Sequence, residues 1–158
     1  MSEFSLRRRI LGLDLGRARI GVAVSDELGM LAHPVETISA QGDAVGRIVE
    51  IVRQKNAERV VVGLPRHMNG SVGTGAAEAL AFAEKLRARL SCEVVTWDER
   101  MTTMAANRAL REGGKKMRDS RGLVDQVAAQ MILQGYLDGL PEARDSRAES
   151  GAEATPRD

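Results

Sequence analysis

The chain has 158 residues, 43% of them hydrophobic and 28% charged, with a formal net charge of +1. That length supports one compact domain with a real core and leaves little room for a second. No stretch approaches the roughly 20 apolar residues of a membrane span, and the amino terminus lacks the apolar core of a signal peptide, so a cytoplasmic location with no membrane contact is expected. The lone Cys92 excludes an internal disulfide and reads as a small core residue, while His33 and His67, far apart and without cysteine partners, argue against a zinc site.

The first element is a strand from Arg9 to Leu15, where Ile10, Leu11, Leu13 and Leu15 form an apolar run. A tight connection through Arg17, Ala18 and Arg19 leads into a second strand, Ile20 to Ser25, making a hairpin. Met30 to Ile38 follows as a strand whose Pro34 assigns it to a sheet edge. Val45, Ile48, Val49 and Val52 recur at helical spacing and predict a helix over about Asp43 to Lys55. Arg59 to Gly63 is a short apolar strand of the parallel, buried kind. A glycine-rich loop from Gly63 to Gly75 then opens a helix carrying Ala79, Leu80, Ala83, Leu86 and Leu90, and Val94 to Trp97 makes a fifth strand. Helices over about Thr103 to Glu112 and Ser120 to Leu137 complete the pattern. Three antiparallel strands followed by alternating helices and strands imply an α/β fold with a mixed five-stranded sheet flanked by helices. The last eighteen residues, Pro141 to Asp158, hold five acids and three arginines but no Leu, Ile, Val or aromatic residue, which predicts a disordered polar tail after a domain spanning residues 1–140.

Carboxylates stand where this pattern predicts burial. Asp14 interrupts the first apolar run, Asp98 and Glu99 end the fifth strand, and Asp125 lies on the apolar stripe of the last helix with Ala128, Ala129, Ile132 and Tyr136. An ionised carboxylate is costly to hide unless paired or metal-bound, so these acids suggest a shared divalent cation site. Simpler readings exist for two of them: Asp14 precedes Leu15-Gly16 in a turn-like context, and Asp125 near a helix start is favoured by the helix dipole. Adjacent residues on a strand face opposite ways, so Asp98 and Glu99 remain alternatives for the site unless the strand ends there.

Charge is uneven along the chain. Between Arg100 and Arg121 seven basic residues, among them Arg100, Lys115, Lys116 and Arg118, stand against Glu112 and Asp119, with a flexible Gly113-Gly114 step inside the run. Such a segment suits a polyanion, or is a solvated helix face. Gly16, Arg17 and Arg19 in the first hairpin and Asn69 and Ser71 in the glycine-rich loop are further candidates for phosphate contact; Ser71 or Thr74 serving as a helix cap is the plainer alternative. With Phe4, Phe82, Trp97 and Tyr136 as the aromatic set, backbone or shape recognition is expected rather than base stacking.

Gly12-Leu13-Asp14-Leu15-Gly16 with Ile20-Gly21-Val22-Ala23, Val62-Gly63-Leu64-Pro65 with Met68-Asn69-Gly70, Asp98-Glu99-Arg100-Met101-Thr102, and Asp125-Gln126-Val127-Ala128-Ala129 together resemble the YqgF/RuvX family, in order and over about residues 9–138. The resemblance implies a ribonuclease-H-like fold and a metal-dependent nuclease, either one maturing the 5′ end of pre-16S ribosomal RNA or a Holliday junction resolvase. It implies Asp14, Glu99 and Asp125 as ligands of Mg2+ or Mn2+, with two ions, and Asp98 as a further catalytic carboxylate. One departure is plain: the related RuvC resolvases place an acid at the end of the fourth strand, where this chain has Gly63-Leu64-Pro65. The expected partner is pre-rRNA or branched DNA, bound by a monomer or a homodimer. A non-catalytic rRNA-binding assembly factor is the rival function; an actin- or sugar-kinase-type ATPase would need a second phosphate-binding domain for which the chain is too short.

Overall fold

The computed structural model describes residues 9–65, 74–99 and 121–140. Its elements are β1 (Arg9–Leu15), β2 (Arg19–Ser25), β3 (Ala32–Ser39), α1 (Ala44–Lys55), β4 (Ala57–Leu64), α2 (Thr74–Arg89), β5 (Glu93–Asp98) and α3 (Arg121–Gly139). One sheet runs in the order β3-β2-β1-β4-β5. β1 pairs antiparallel with β2, and β2 with β3, whereas β4 joins β1 and β5 joins β4 in parallel. This is the mixed five-stranded sheet that the sequence predicts. The expected helix over Thr103 to Glu112, the glycine-rich loop beyond Pro65 and the tail from Pro141 lie outside the described residues.

Alternation along β1 divides the core in two. Leu11 and Leu13 join Val22, Val60, Val62, Ile48, Ile51 and Leu86 in a cluster between the sheet and the α1–α2 face. Ile10 joins Ala23, Val61, Ala129, Ile132, Leu133 and Leu137 in a second cluster beneath α3. The central strands are thus covered on both sides, which is why β4 reads as an unbroken apolar run.

Helix α3 approaches the sheet closely because glycines clear its path. A Cβ on Gly12 would lie 2.7 Å from the Leu133 Cβ, so Gly12→Ala forces the helix outward. Overpacking of this kind costs roughly 1–3 kcal/mol, and a urea midpoint lowered accordingly is the expected result. Side-chain amides fix the helix along its length: Gln126 Nε2 donates to Thr37 Oγ1 (3.3 Å), Gln130 Nε2 to the Ala32 carbonyl (2.9 Å) and Gln134 Nε2 to the Met30 carbonyl (2.9 Å). The Ala32 N–H returns a bond to Gln134 Oε1 at 2.9 Å.

Element boundaries differ from the expectation by one or two residues, and two of the differences have a clear structural cause. β3 begins at Ala32 rather than Met30, because the β2–β3 connection turns through Gly29 at φ 71°, with Asp26 accepting from the Gly29 and Met30 amides. β4 begins at Ala57 rather than Arg59, because Asn56 caps α1 in the left-handed region at φ 54° and delivers the chain straight into the sheet. Pro34 does lie on an edge strand, beside a register shift between Val22 and Ala23. Cys92 packs, partly buried, against the α1–α2 core, and burial pushes its thiol pKa up, as suits a structural cysteine.

Candidate active site

Register brings the predicted acids to one end of the sheet. Thr37 pairs with Gly21, and Gly21 with Asp14. Leu13 pairs with Val62, so the next step along both strands sets Asp14 near Gly63, which pairs with Trp97 at the end of β5. Asp14 follows Ile10 and Gly12 on the face covered by α3, since odd-numbered Leu11 and Leu13 take the other face. It is therefore a half-buried carboxylate within β1, on the side of the sheet that α3 covers, rather than a turn residue.

The geometry distinguishes Asp98 from Glu99. Val94 belongs to the α1–α2 cluster, whereas Val95 and Trp97 pack into the α3 cluster. Alternation then assigns Asp98, paired with Leu64, to the α1–α2 side. Glu99, one residue past the strand, returns to the α3 side: its Oε2 lies 3.0 Å from where a Gly63 Cβ would stand. Burial raises the Glu99 pKa, and the negative charges of Asp14 and Asp98 raise it further, to about 7. A carboxyl so placed gives up its proton readily when a cation arrives to share the three negative charges.

Asp125 lies on α3 immediately before Gln126, whose side chain reaches Thr37 in the same lateral row as Gly21 and Asp14. Its helix position is thus at the acidic end of the sheet; its side chain is outside the described residues. Among the described residues no three His, Cys, Asp or Glu side chains close to metal-binding distance by themselves. The donors that are described, Asp14, Glu99 and the neighbouring Asp98, are all oxygen, and their crowding fits a hard divalent cation such as Mg2+ or Mn2+ rather than a thiophilic one.

The basic candidates divide in the same way. Arg17 is exposed and Arg19 half-buried at the turn directly after Asp14. Gly16 does not take a positive φ. Its N–H donates to the Arg19 carbonyl at 2.8 Å, and a Cβ there would stand 2.7 Å from that oxygen, so glycine is required by the closeness of the turn. Asn69, Ser71, Arg100, Lys115, Lys116 and Arg118 lie outside the described residues.

Two features escape a reading of the sequence. Gly63 passes there for the start of a loop, although a glycine closing an apolar strand is a signal of close approach. Trp97 stacks edge-on against Tyr136, with ring centroids 5.7 Å apart, and Gly139 leaves room for its ring. Tyr136 in turn accepts from Arg59 Nη1 at 2.8 Å, and Arg59 Nε donates to Glu93 at 2.7 Å. This group clamps α3 along β4 and β5, from the Arg59–Glu93 pair at the start of the strands to Trp97 at their acidic end.

Residues 8–139 match the family model RuvX, described as Holliday junction resolvase. A relative from Bacillus cytotoxicus, named a pre-16S rRNA nuclease, is 45% identical over 134 residues, covering 82% of this chain and 98% of its own. One of the same name from Acetivibrio thermocellus is also 45% identical, over 82% of this chain and 95% of its own. Among solved structures, the Fowlpox virus resolvase in complex with Holliday junction DNA aligns with a TM-score of 0.55 at 9% identity, over 84% of this chain and 99% of that one, a likeness of fold. With a family model spanning nearly all of the described sheet and helices, and relatives at this identity over almost their full length, the chain belongs to the RuvX family.

Proposed function

We propose that this chain is a divalent-metal-dependent nuclease that hydrolyses phosphodiester bonds of structured nucleic acid, and that its substrate is the 5′ end of pre-16S rRNA. The observation that carries the reading is the meeting of Asp14 and Glu99 under α3, where burial and the neighbouring negative charges make the Glu99 carboxylate costly to ionise without a cation. The names of the relatives favour the RNA substrate. Ribosome maturation would place the protein in the cytoplasm, and no helix among the described residues is long and apolar enough to cross a membrane.

Asp14, from the central strand, and Glu99, from the end of β5, would hold the cations, with Asp125 on α3 as third ligand and Asp98 adding negative charge beside them. Mg2+ or Mn2+ held there, expected as two ions, would supply an activated water and neutralise charge on the phosphate. The chain's own work is positional. β1 and the end of β5 present their acids from a rigid sheet, and the packing of α3 on that face leaves Asp14 and Glu99 half-buried. Arg17 and Arg19, beside Asp14, would grip the phosphates flanking the scissile bond. Lys115, Lys116 and Arg118 would extend that grip along the strand.

The test is cleavage of a 5′-labelled rRNA precursor with Mg2+, with Mn2+ and with EDTA, run beside a labelled four-way DNA junction. Metal-dependent turnover of the precursor in preference to the junction is the expected result. Preference for the junction would move the protein to the resolvase reading, which the family description and the viral structural neighbour favour; such a two-fold substrate calls for a homodimer, whereas one RNA end needs only a monomer. Tight binding with no metal-dependent turnover of either would make it an assembly factor. The basic segment has its own check: replacing Lys115, Lys116 and Arg118 with alanine should lower affinity and flatten the salt dependence by about 0.7–0.9 log units for each phosphate that is no longer neutralised, with the melting temperature unmoved.

A further inference from the structure

Gly63 is a glycine for want of space and not for its backbone conformation. Positive φ values among the described residues occur at Asn56, Gly29 and Gly42, so Gly63 holds a conformation open to other residues. What excludes a side chain is its surroundings: a Cβ there would lie 2.7 Å from Ile132 Cδ1, 3.0 Å from Glu99 Oε2 and 3.3 Å from the Leu13 carbonyl oxygen. The Leu13 carbonyl belongs to the central ladder and cannot retreat. Ile132 is 3% exposed and sits in the closed core beneath α3. The third neighbour, the Glu99 carboxylate, is the far end of a long side chain.

We propose that Gly63 is a positioning residue: the bare backbone at the end of β4 is the floor on which the Glu99 carboxylate rests beside Asp14, and a side chain there lifts that carboxylate off the cation position. The inference rests on the reading of Asp14 and Glu99 as cation ligands. The end of β4, Gly63-Leu64-Pro65, carries no acid of its own, and it is where the chain makes room for the acid that follows β5. Gly12 supplies a contrast within the same interface. Its missing Cβ also faces α3, at 2.7 Å from Leu133, but no carboxylate is among its neighbours.

The experiment uses the full chain and manganese ion as the probe. Gly63→Ala is combined with Ile132→Val, which removes the Cδ1 atom and so leaves the carboxylate as the neighbour that must yield. Melting temperature is followed against manganese concentration for this double variant, Ile132→Val alone, Gly12→Ala, Glu99→Gln and wild type. In metal-free buffer the packing variants should all melt lower than wild type. The double variant alone among them should need roughly tenfold or more manganese for half its metal-induced rise. Adding Glu99→Asp, which draws the carboxylate back by one methylene, should recover part of that loss in the double variant while weakening metal binding in wild type. Wild-type manganese response in the double variant, with Glu99→Gln losing it, would overturn the positioning role and leave the ligand reading standing. An unchanged response in Glu99→Gln would remove the ligand reading itself. Should the double variant melt too low to titrate, the same series is run in sucrose, which strengthens burial without supplying a cation, and is scored by the same two outcomes.

Discussion

Asp14→Asn is expected to abolish cleavage while leaving the protein folded at least as well as wild type. Asparagine keeps the shape of the side chain and loses the charge that holds a cation, so the loss should reach three or more powers of ten in rate, roughly 4 kcal/mol of transition-state stabilisation. Stability moves the other way in metal-free buffer, because Asp14 is one of the charges that make the buried Glu99 costly to ionise. Removing it relieves that repulsion. The pairing of dead enzyme with unharmed fold is the informative part: a core-packing defect would lower activity and melting temperature together. Added Mg2+ or Mn2+ should raise the wild-type melting temperature and raise that of the variant less, since ligand binding stabilises only a state that binds it. Single-turnover cleavage and thermal melts on the same preparations decide the matter, and wild-type turnover by the variant would remove Asp14 from the site.

The part of this site legible in the sequence is the part set by strand periodicity. Ile10, Gly12 and Asp14 share one face of β1 whatever the rest of the chain does, so an acid inside that run had to meet whatever covers the sheet. The helix position of Asp125 was legible for a similar reason, at helical spacing from Ala129 and Ile132, both of which are buried, while its part in the site is a proposal. The choice between Asp98 and Glu99 was not, because it depends on where β5 ends and on which face Trp97 takes. One residue of difference inverts the answer. The crowding at Gly63 was illegible for another reason: it comes from three neighbours, on β1, on α3 and just past β5, none near it in sequence. The β2–β3 connection shows the same limit, since Leu28, Met30 and Leu31 are apolar yet exposed at a turn that Asp26 organises through backbone amides.

The stability of the metal-free protein should fall as pH rises from about 5 to 8, and Glu99→Gln should remove most of that slope. Burial first, then the charges of Asp14 and Asp98, raise the Glu99 pKa from 4.5 to about 7 in the folded chain. Between those two values the folded state holds a proton that the unfolded state has released, so unfolding is progressively favoured as pH increases. The cost is absent below the unfolded pKa and complete above the folded one. Its size, allowing for solvent around the half-buried carboxyl, is about 2–3 kcal/mol. Glutamine occupies the same space without ionising, and the variant should therefore be the more stable protein at pH 8 and nearly equal to wild type at pH 5. Divalent cations reverse the order: binding expels the Glu99 proton, so Mg2+ or Mn2+ should stabilise wild type more strongly at pH 8 than at pH 6 and leave the variant far less affected. Urea titrations at pH 5, 6, 7 and 8, with EDTA and with each metal, read both effects in one set of curves. Equal slopes in the two proteins without metal would mean that Glu99 is not held against its charge, and the acidic end of the sheet would then lose its claim to bind a cation through that residue.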